Sequence, residues 1–245
     1  MIQAVKTIRQ SKHVSAFSGA GISVESGIPP FRGKNGLWNK YDPRFLEIHY
    51  FLNNPKESWI LIKEIFYEFF GNAKPNPAHY ALSKLEDKKI LHCIITQNID
   101  NLHQRAGSKN VLEFHGTAQS LTCIDCTAGV AVEDVDLSKL PPLCRQCGGV
   151  LKPDFIFFGE AIPEPANTLS FREAETADVF LVIGTTGEIM PASMIPSYAK
   201  QNGAKIIEVN IEESAYTHTI TDVFLRGKAS EVMEAIVQEL GFASY

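Results

Sequence analysis

The chain has 245 residues, 44% of them hydrophobic and 21% charged, with a formal net charge of −5. Such totals fit one large globular domain, or one domain carrying insertions, and exclude a disordered chain. The negative balance gives no general attraction to nucleic acid or to an anionic membrane, and no apolar run reaches the length of a membrane span.

In chain order, residues 4–10 are expected to form a short amphipathic helix, followed by a buried strand over 13–18. That strand leads into Gly19-Ala20-Gly21 and a helix start. Further strands are expected at 90–96, 111–114, 155–158, 179–183 and 205–209. Helical patterns at 77–88, 164–177, 193–202 and 230–240 separate several of them. The pair Asn76-Pro77 offers a capping side chain with proline at the first helical position. Strands alternating with helices predict a doubly wound, Rossmann-like parallel sheet, an α/β fold. Two stretches break the alternation. Residues 31–73 carry loop and two helices, the second over 56–70. Residues 118–152 carry four of the five cysteines. The expected partition is a nucleotide-binding domain from 1–30, 74–117 and 153–245, with a helical insertion at 31–73 and a zinc-binding insertion at 118–152. The two insertions would form a smaller lobe, with a ligand cleft between the lobes.

Cys123-x2-Cys126 and Cys144-x2-Cys147 are separated by 17 residues, inside the usual window for a four-thiolate zinc site. Four thiolates leave no open coordination position, so one structural Zn2+ per chain is expected. The alternative is four unrelated buried thiols. Cys93, amid Ile90, Leu91, Ile94 and Ile95, reads as core. The segment 119–152 sets Lys139, Arg145 and Lys152 against Asp125, Glu133, Asp134 and Asp136, which argues against nucleic-acid contact. Metal-binding cysteines and residues 1–10 without a signal peptide's apolar stretch point to the cytoplasm.

A strand running into Gly19-Ala20-Gly21 can bring backbone N–H groups against a pyrophosphate, although such turns also occur merely to reverse the chain. The third glycine comes late, at Gly27, and no acid-tipped second strand follows about 20 residues on, so an ordinary hydride-transfer enzyme is disfavoured. The run Gly19-Ala20-Gly21-Ile22-Ser23-Val24-Glu25-Ser26-Gly27-Ile28-Pro29-Pro30-Phe31-Arg32-Gly33 resembles the signature of the sirtuins, the NAD-dependent protein deacylases. Thr96-Gln97-Asn98-Ile99-Asp100-Asn101-Leu102-His103 resembles their second motif, and His115-Gly116 their catalytic one. Phe158-Gly159-Glu160, Gly184-Thr185-Thr186 and Val209-Asn210 follow in the family's order, with Thr186 where serine is usual.

The resemblance implies that NAD is a consumed co-substrate and that acyl-lysine proteins or peptides are the partners. It assigns His115 as general base, a role that a histidine met without the motif would not earn over a structural one. Asn98 would orient the ribose or a water, and Asp100, beside Gln97 and Ile99, would take the nicotinamide amide. Ser23 and Arg32 would contact ribose and phosphates, and Phe31 would cover the ribose carbon. Gly184, Thr185, Thr186, Asn210 and Ala229 would flank the adenosine half. The peptide would lie as an added strand between Phe158, Gly159 and Glu160 and the 187–190 loop, which includes Glu188. Mono-ADP-ribosyl transfer and a non-catalytic NAD- or ADP-ribose-binding module are the alternatives.

Members that remove succinyl or malonyl groups carry a tyrosine and an arginine three residues apart on the helix corresponding roughly to 56–70. Here the paired positions are Ile62 and Ile65, or Lys63 and Phe66, so uncharged acyl groups are expected to be favoured.

Overall fold

The computed structural model describes residues 1–31, 33 and 36–243. Helix α1 (Ile2–Gln10) leads into strand β1 (Val14–Ser18), all five of whose side chains are buried. A 3-10 helix, Ala20–Ser26, takes the place of the α-helix expected after the glycine turn. Short 3-10 turns, α2 (Ile48–Asn53) and α3 (Pro55–Ile62) follow, and α3 widens into a π-helix over Lys63–Phe69. Helix α4 (Pro77–Asp87) opens as its sequence dictates: Asn76 Oδ1 accepts from the Ala78 N–H at 2.9 Å, and the Asn76 N–H donates to His79 Nδ1 at 3.3 Å. Then come β2 (Leu91–Thr96), α5 (Leu102–Arg105), β3 (Val111–Glu113), β4 (Gly116–Cys123), β5 (Gly129–Ala131) and β6 (Leu151–Phe155). The chain closes with α6 (Ala166–Thr176), β7 (Val179–Ile183), α7 (Met194–Gln201), β8 (Lys205–Asn210), β9 (Val223–Arg226) and α8 (Ala229–Glu239).

Among the described residues six strands form one parallel sheet in the order β3-β2-β1-β7-β8-β9. The chain winds outward from β1 to one edge, returns, and winds from β7 to the other. This is the doubly wound order, with its switch point between β1 and β7. Both faces are covered, which explains why β1 and β7 read as continuous buried runs. On one face Val14, Ala16, Leu181 and Ile183 meet α1, α4 and α8 through Ile8, Leu82 and Met233. On the other, Phe17, Ile95, Phe180 and Val182 meet Ala174 of α6 and Ile195 of α7.

The expected strand over 155–158 is corrected by the structure. Its first residue ends β6, which runs antiparallel to β4 in a second sheet ordered β5-β4-β6. Phe155 and Phe157 are apolar because they enter a third core, where they meet Phe51, Trp59, Ile62, Phe66 and Leu121. Trp59 Nε1 donates to the Leu151 carbonyl at 2.8 Å, tying the helices of 48–72 to the cysteine-bearing sheet. Among the described residues no helix is long and apolar enough to cross a membrane.

Candidate active site and metal centre

The carboxyl ends of β1 and β7 are in register, Ser18 beside Ile183, and the turns leaving them touch. Gly19 N–H donates to the Ile183 carbonyl at 3.0 Å and Gly21 N–H to the Gly184 carbonyl at 2.8 Å. The fit requires glycine. A Cβ at Gly21 would lie 2.7 Å from Gly184 Cα, and one at Gly184, whose φ is +62°, would lie 2.4 Å from the Ile22 nitrogen. Ligands of such sheets bind at this crevice.

The end of β2 reaches the same place. Gln97 N–H donates to the Ser18 carbonyl at 3.0 Å, and its Nε2 donates to Thr185 Oγ1 at 3.1 Å across the switch point. Asn98, buried, donates from Nδ2 to the Gly19 carbonyl and to Ser23 Oγ, both at 3.2 Å. Ser23 Oγ in turn donates to Asp100 Oδ2 at 2.6 Å, and the Leu102 N–H donates to Oδ1 at 3.0 Å. Burial pushes the Asp100 carboxyl up, opposed by the Ser23 and Leu102 donors. The glycine loop and the second motif are thus one network.

His115 follows β3 and precedes Gly116, whose positive φ of 73° puts it where a Cβ would sit 2.1 Å from the Asp154 carbonyl oxygen. The ring's Nδ1 lies 3.0 Å from the Gln97 carbonyl oxygen. A carbonyl only accepts, so Nδ1 carries the proton and Nε2 keeps its lone pair. Burial holds the His115 pKa below the usual histidine value, partly offset by that hydrogen bond. An imidazole in this tautomer accepts a proton at neutral pH.

Thr185 and Asn210 meet through Asn210 Nδ2, which donates to the Thr185 carbonyl at 3.0 Å. Thr186 is exposed, and Ala229 is buried at the start of α8. Phe31 packs on Trp38 with ring centroids 5.3 Å apart. Ala20 is half-buried and Ile99 packs against the third core. Arg32 lies outside the described residues. Phe158 pairs on one side with the chain before α2: its N–H donates to the Leu46 carbonyl at 2.8 Å and its carbonyl accepts from Ile48 at 3.0 Å. The residue is 45% exposed. The Glu160 carboxylate folds back to accept from the Phe157 N–H at 2.7 Å and from Lys152 Nζ at 3.1 Å. It therefore braces the turn from inside, while Gly159 and Glu188 are exposed.

Ser18, which the motifs pass over, lies beneath this surface with Thr96, the first residue of the second motif. Ser18 Oγ donates to Thr96 Oγ1 at 2.9 Å and accepts from His103 Nε2 at 2.9 Å. The signal of Ser18 in the sequence is only that a polar residue ends a buried strand.

In the connections of the β5-β4-β6 sheet, Cys123 Sγ lies 3.5 Å from Cys147 Sγ and Cys126 Sγ 3.7 Å from Cys144 Sγ, with all four sulfurs within 4.8 Å of one another. A tetrahedral ion with zinc–sulfur bonds of about 2.3 Å requires sulfurs about 3.8 Å apart, so the donor set fits. Backbone N–H groups of Cys147 and Gln146 hold the Cys144 thiol down to about 7, whereas the crowding of neighbouring thiols pushes Cys126 and Cys147 up.

Fold and site together define a doubly wound nucleotide-binding domain with a four-cysteine lobe. The model of the Sir2 family matches residues 19–191. The chain is 45% identical over 247 residues to an NAD-dependent protein deacylase of Pyrococcus abyssi, covering 98% of each chain. It is 43% identical to NAD-dependent protein deacetylase 1 of Pyrobaculum aerophilum, covering 97% of this chain and 94% of that one. Among solved structures it resembles a Sir2 homolog–NAD complex, with TM-score 0.90 and 43% identity over 98% of this chain and 93% of that one. It also resembles a Sir2 variant with deacetylated p53 peptide and 3'-O-acetyl ADP-ribose, with TM-score 0.93 and 35% identity over 99% of both chains. The chain belongs to the Sir2 family.

Proposed function

We propose that this chain is an NAD-dependent protein-lysine deacylase, releasing nicotinamide and O-acyl-ADP-ribose from NAD and an acyl-lysine protein or peptide. The observation that carries the reading is His115, held with Nε2 bare by the carbonyl of Gln97, the residue that also spans the switch point to Thr185. NAD, when bound, supplies the ribose carbon that captures the acyl oxygen as nicotinamide leaves. His115 Nε2 takes the proton of a ribose hydroxyl, and Asn98 orients the ribose or a water. Gly19, Ala20, Gly21, Ser23 and Arg32 cradle phosphates and ribose; Gln97, Ile99 and Asp100 enclose the nicotinamide; Phe31 shields the ribose carbon. Gly184, Thr185, Thr186, Asn210 and Ala229 hold the adenosine half. The peptide takes the gap between Phe158, Gly159 and Glu160 and the loop bearing Glu188.

Cys123, Cys126, Cys144 and Cys147 hold one structural Zn2+, which takes no direct part in the reaction. The partition into a domain of 1–30, 74–117 and 153–245 with insertions at 31–73 and 118–152 belongs to the same reading, supported by the separate core that the insertions share. So does residence in the cytoplasm, where four thiolates stay reduced.

We further propose that uncharged acyl groups are preferred. Ile62 and Ile65 are buried, and Lys63 is turned to Glu68 at 2.5 Å, so neither supplies the planar fork that binds a carboxylate. An acyl carboxylate against these side chains costs several kcal/mol in desolvation. Nicotinamide release that requires an acetyl-lysine peptide tests the activity; release unaffected by acylation contradicts it. On one peptide sequence, acetyl or crotonyl should exceed succinyl by roughly tenfold in kcat/KM, about 1.4 kcal/mol. Succinyl winning, with Lys63→Ala assayed alongside, refutes the preference.

A further inference from the structure

Glu208 on β8 is 1% exposed, yet its carboxylate faces no cation in hydrogen-bonding reach among the described residues. Three hydroxyls from the β8–β9 connection satisfy it instead. Ser214 Oγ donates to Oε1 at 2.5 Å, Thr217 Oγ1 lies 3.0 Å from both oxygens, and Thr221 Oγ1 donates to Oε2 at 2.7 Å. A buried carboxylate is costly unless fully hydrogen-bonded, so this arrangement pins the connection to the sheet.

The pinned segment carries Tyr216, which is 3% exposed and grips the opposite loop. Its hydroxyl donates to the Ser193 carbonyl at 3.0 Å, and the neighbouring Ala215 N–H donates to the Thr186 carbonyl at 3.0 Å. Its ring lies so close to Gly187, whose φ is +75°, that a Cβ there would come within 2.7 Å of it. Both ends and the turn of segment 186–193 are therefore fixed by one short stretch.

We infer that Tyr216 is a positioning residue for the acyl-peptide: it sets the height of the 187–190 loop, and Glu208 sets Tyr216. The inference rests on the deacylase reading, in which that loop forms one wall of the peptide gap. Tyr216 touches the loop's peptide half through Gly187, whereas the Thr186 end is held by the Ala215 main chain. Its loss should therefore separate the two substrates.

Steady-state kinetics of the full-length protein with acetyl-lysine peptide and NAD tests this. Tyr216→Leu should raise the peptide KM roughly tenfold or more, with the NAD KM and kcat within about twofold, as misplacement of a binding wall predicts. Tyr216→Phe keeps the ring on Gly187 and loses only the hydrogen bond, so it should recover most of the peptide affinity; it also decides the matter if the leucine protein does not fold, by a peptide KM raised about threefold with the NAD KM unmoved. A peptide KM unchanged in both variants, or both KM values rising together as for a general loss of structure, overturns the inference. A wild-type protein without acyl-lysine turnover overturns the deacylase reading and this inference with it.

Discussion

At the residue scale, three features of its surroundings fix the chemistry of His115. The Gln97 carbonyl selects the tautomer, burial lowers the pKa, and the positive φ of Gly116 lets the chain turn away toward β4. His115→Ala removes the acceptor without touching the glycine loop. It should bind NAD as the wild type does, by calorimetry, and lose roughly 10²-fold or more in turnover. The acid limb of the wild-type kcat/KM profile should fall below the ordinary histidine value of 6.5, since the folded protein holds this ring neutral. Near-wild-type turnover in the alanine protein would remove His115 from the mechanism.

Two other histidines store pH dependence without chemistry. Burial pushes His103 down to about 4, and burial with the neighbouring His103 pushes His79 down to about 2. Both are neutral when folded and protonate once unfolded below about pH 6.5, so the unfolded state binds more protons there. Their contribution is present above that pH and lost as pH falls toward the folded values, by roughly 1.4 kcal/mol per pH unit for each ring. Urea unfolding at pH 7.5 and pH 5 should show the drop, and His103→Gln should flatten it. An equal slope in the variant would contradict the assignment.

At the element scale, the cysteine sheet brings together four thiols that could hold a metal ion. Cys123 and Cys144 are buried beside Leu121 and Leu151, and Trp59 is hydrogen-bonded to Leu151, so loss of the proposed zinc would undo packing that reaches α3. Metal analysis should find about one zinc per chain, and Cys144→Ser should lower the melting temperature and, through the shared core, the activity. A serine protein with full stability and activity would show that the sulfurs hold nothing.

The same lobe marks where sequence patterns stop informing. Strands β1, β2, β7 and β8 are legible because most of their side chains are buried on both faces and apolar residues dominate each run. Strand β4, GTAQSLTC, alternates poorly, since only Ala118, Leu121 and Cys123 turn fully inward. Strand β9 is a four-residue edge whose pairing with β8 is a non-local fact. Residues 155–158 look like a sheet strand because Phe155 and Phe157 stack, centroids 5.2 Å apart, on a different core. The π-helix over Lys63–Phe69 is invisible to periodicity because apolar residues surround it on several sides. Of the site, the glycine turn, His115 and the cysteine spacing were visible as motifs. Tyr216 and Glu208 were not, because their importance is a matter of which loop they lie against.

At the scale of the whole molecule, the fold brings three distant segments to one crevice. The turn after β1, the end of β2 and the turn after β7 meet through Gln97 and Gly184, and His115 joins from β3. This assembly accounts for a reaction in which an NAD ribose and an acyl-lysine must be presented to one base at one place. An enzyme that instead transferred ADP-ribose to an acceptor could share every glycine of the crevice, so binding alone does not distinguish the two. Product balance does. Mass spectrometry of the reaction with acetyl-lysine peptide and NAD should find nicotinamide, deacetylated peptide and O-acetyl-ADP-ribose in equal amounts. Nicotinamide released while the peptide keeps its acetyl group, with ADP-ribose recovered on protein or as the free sugar nucleotide, would contradict the account.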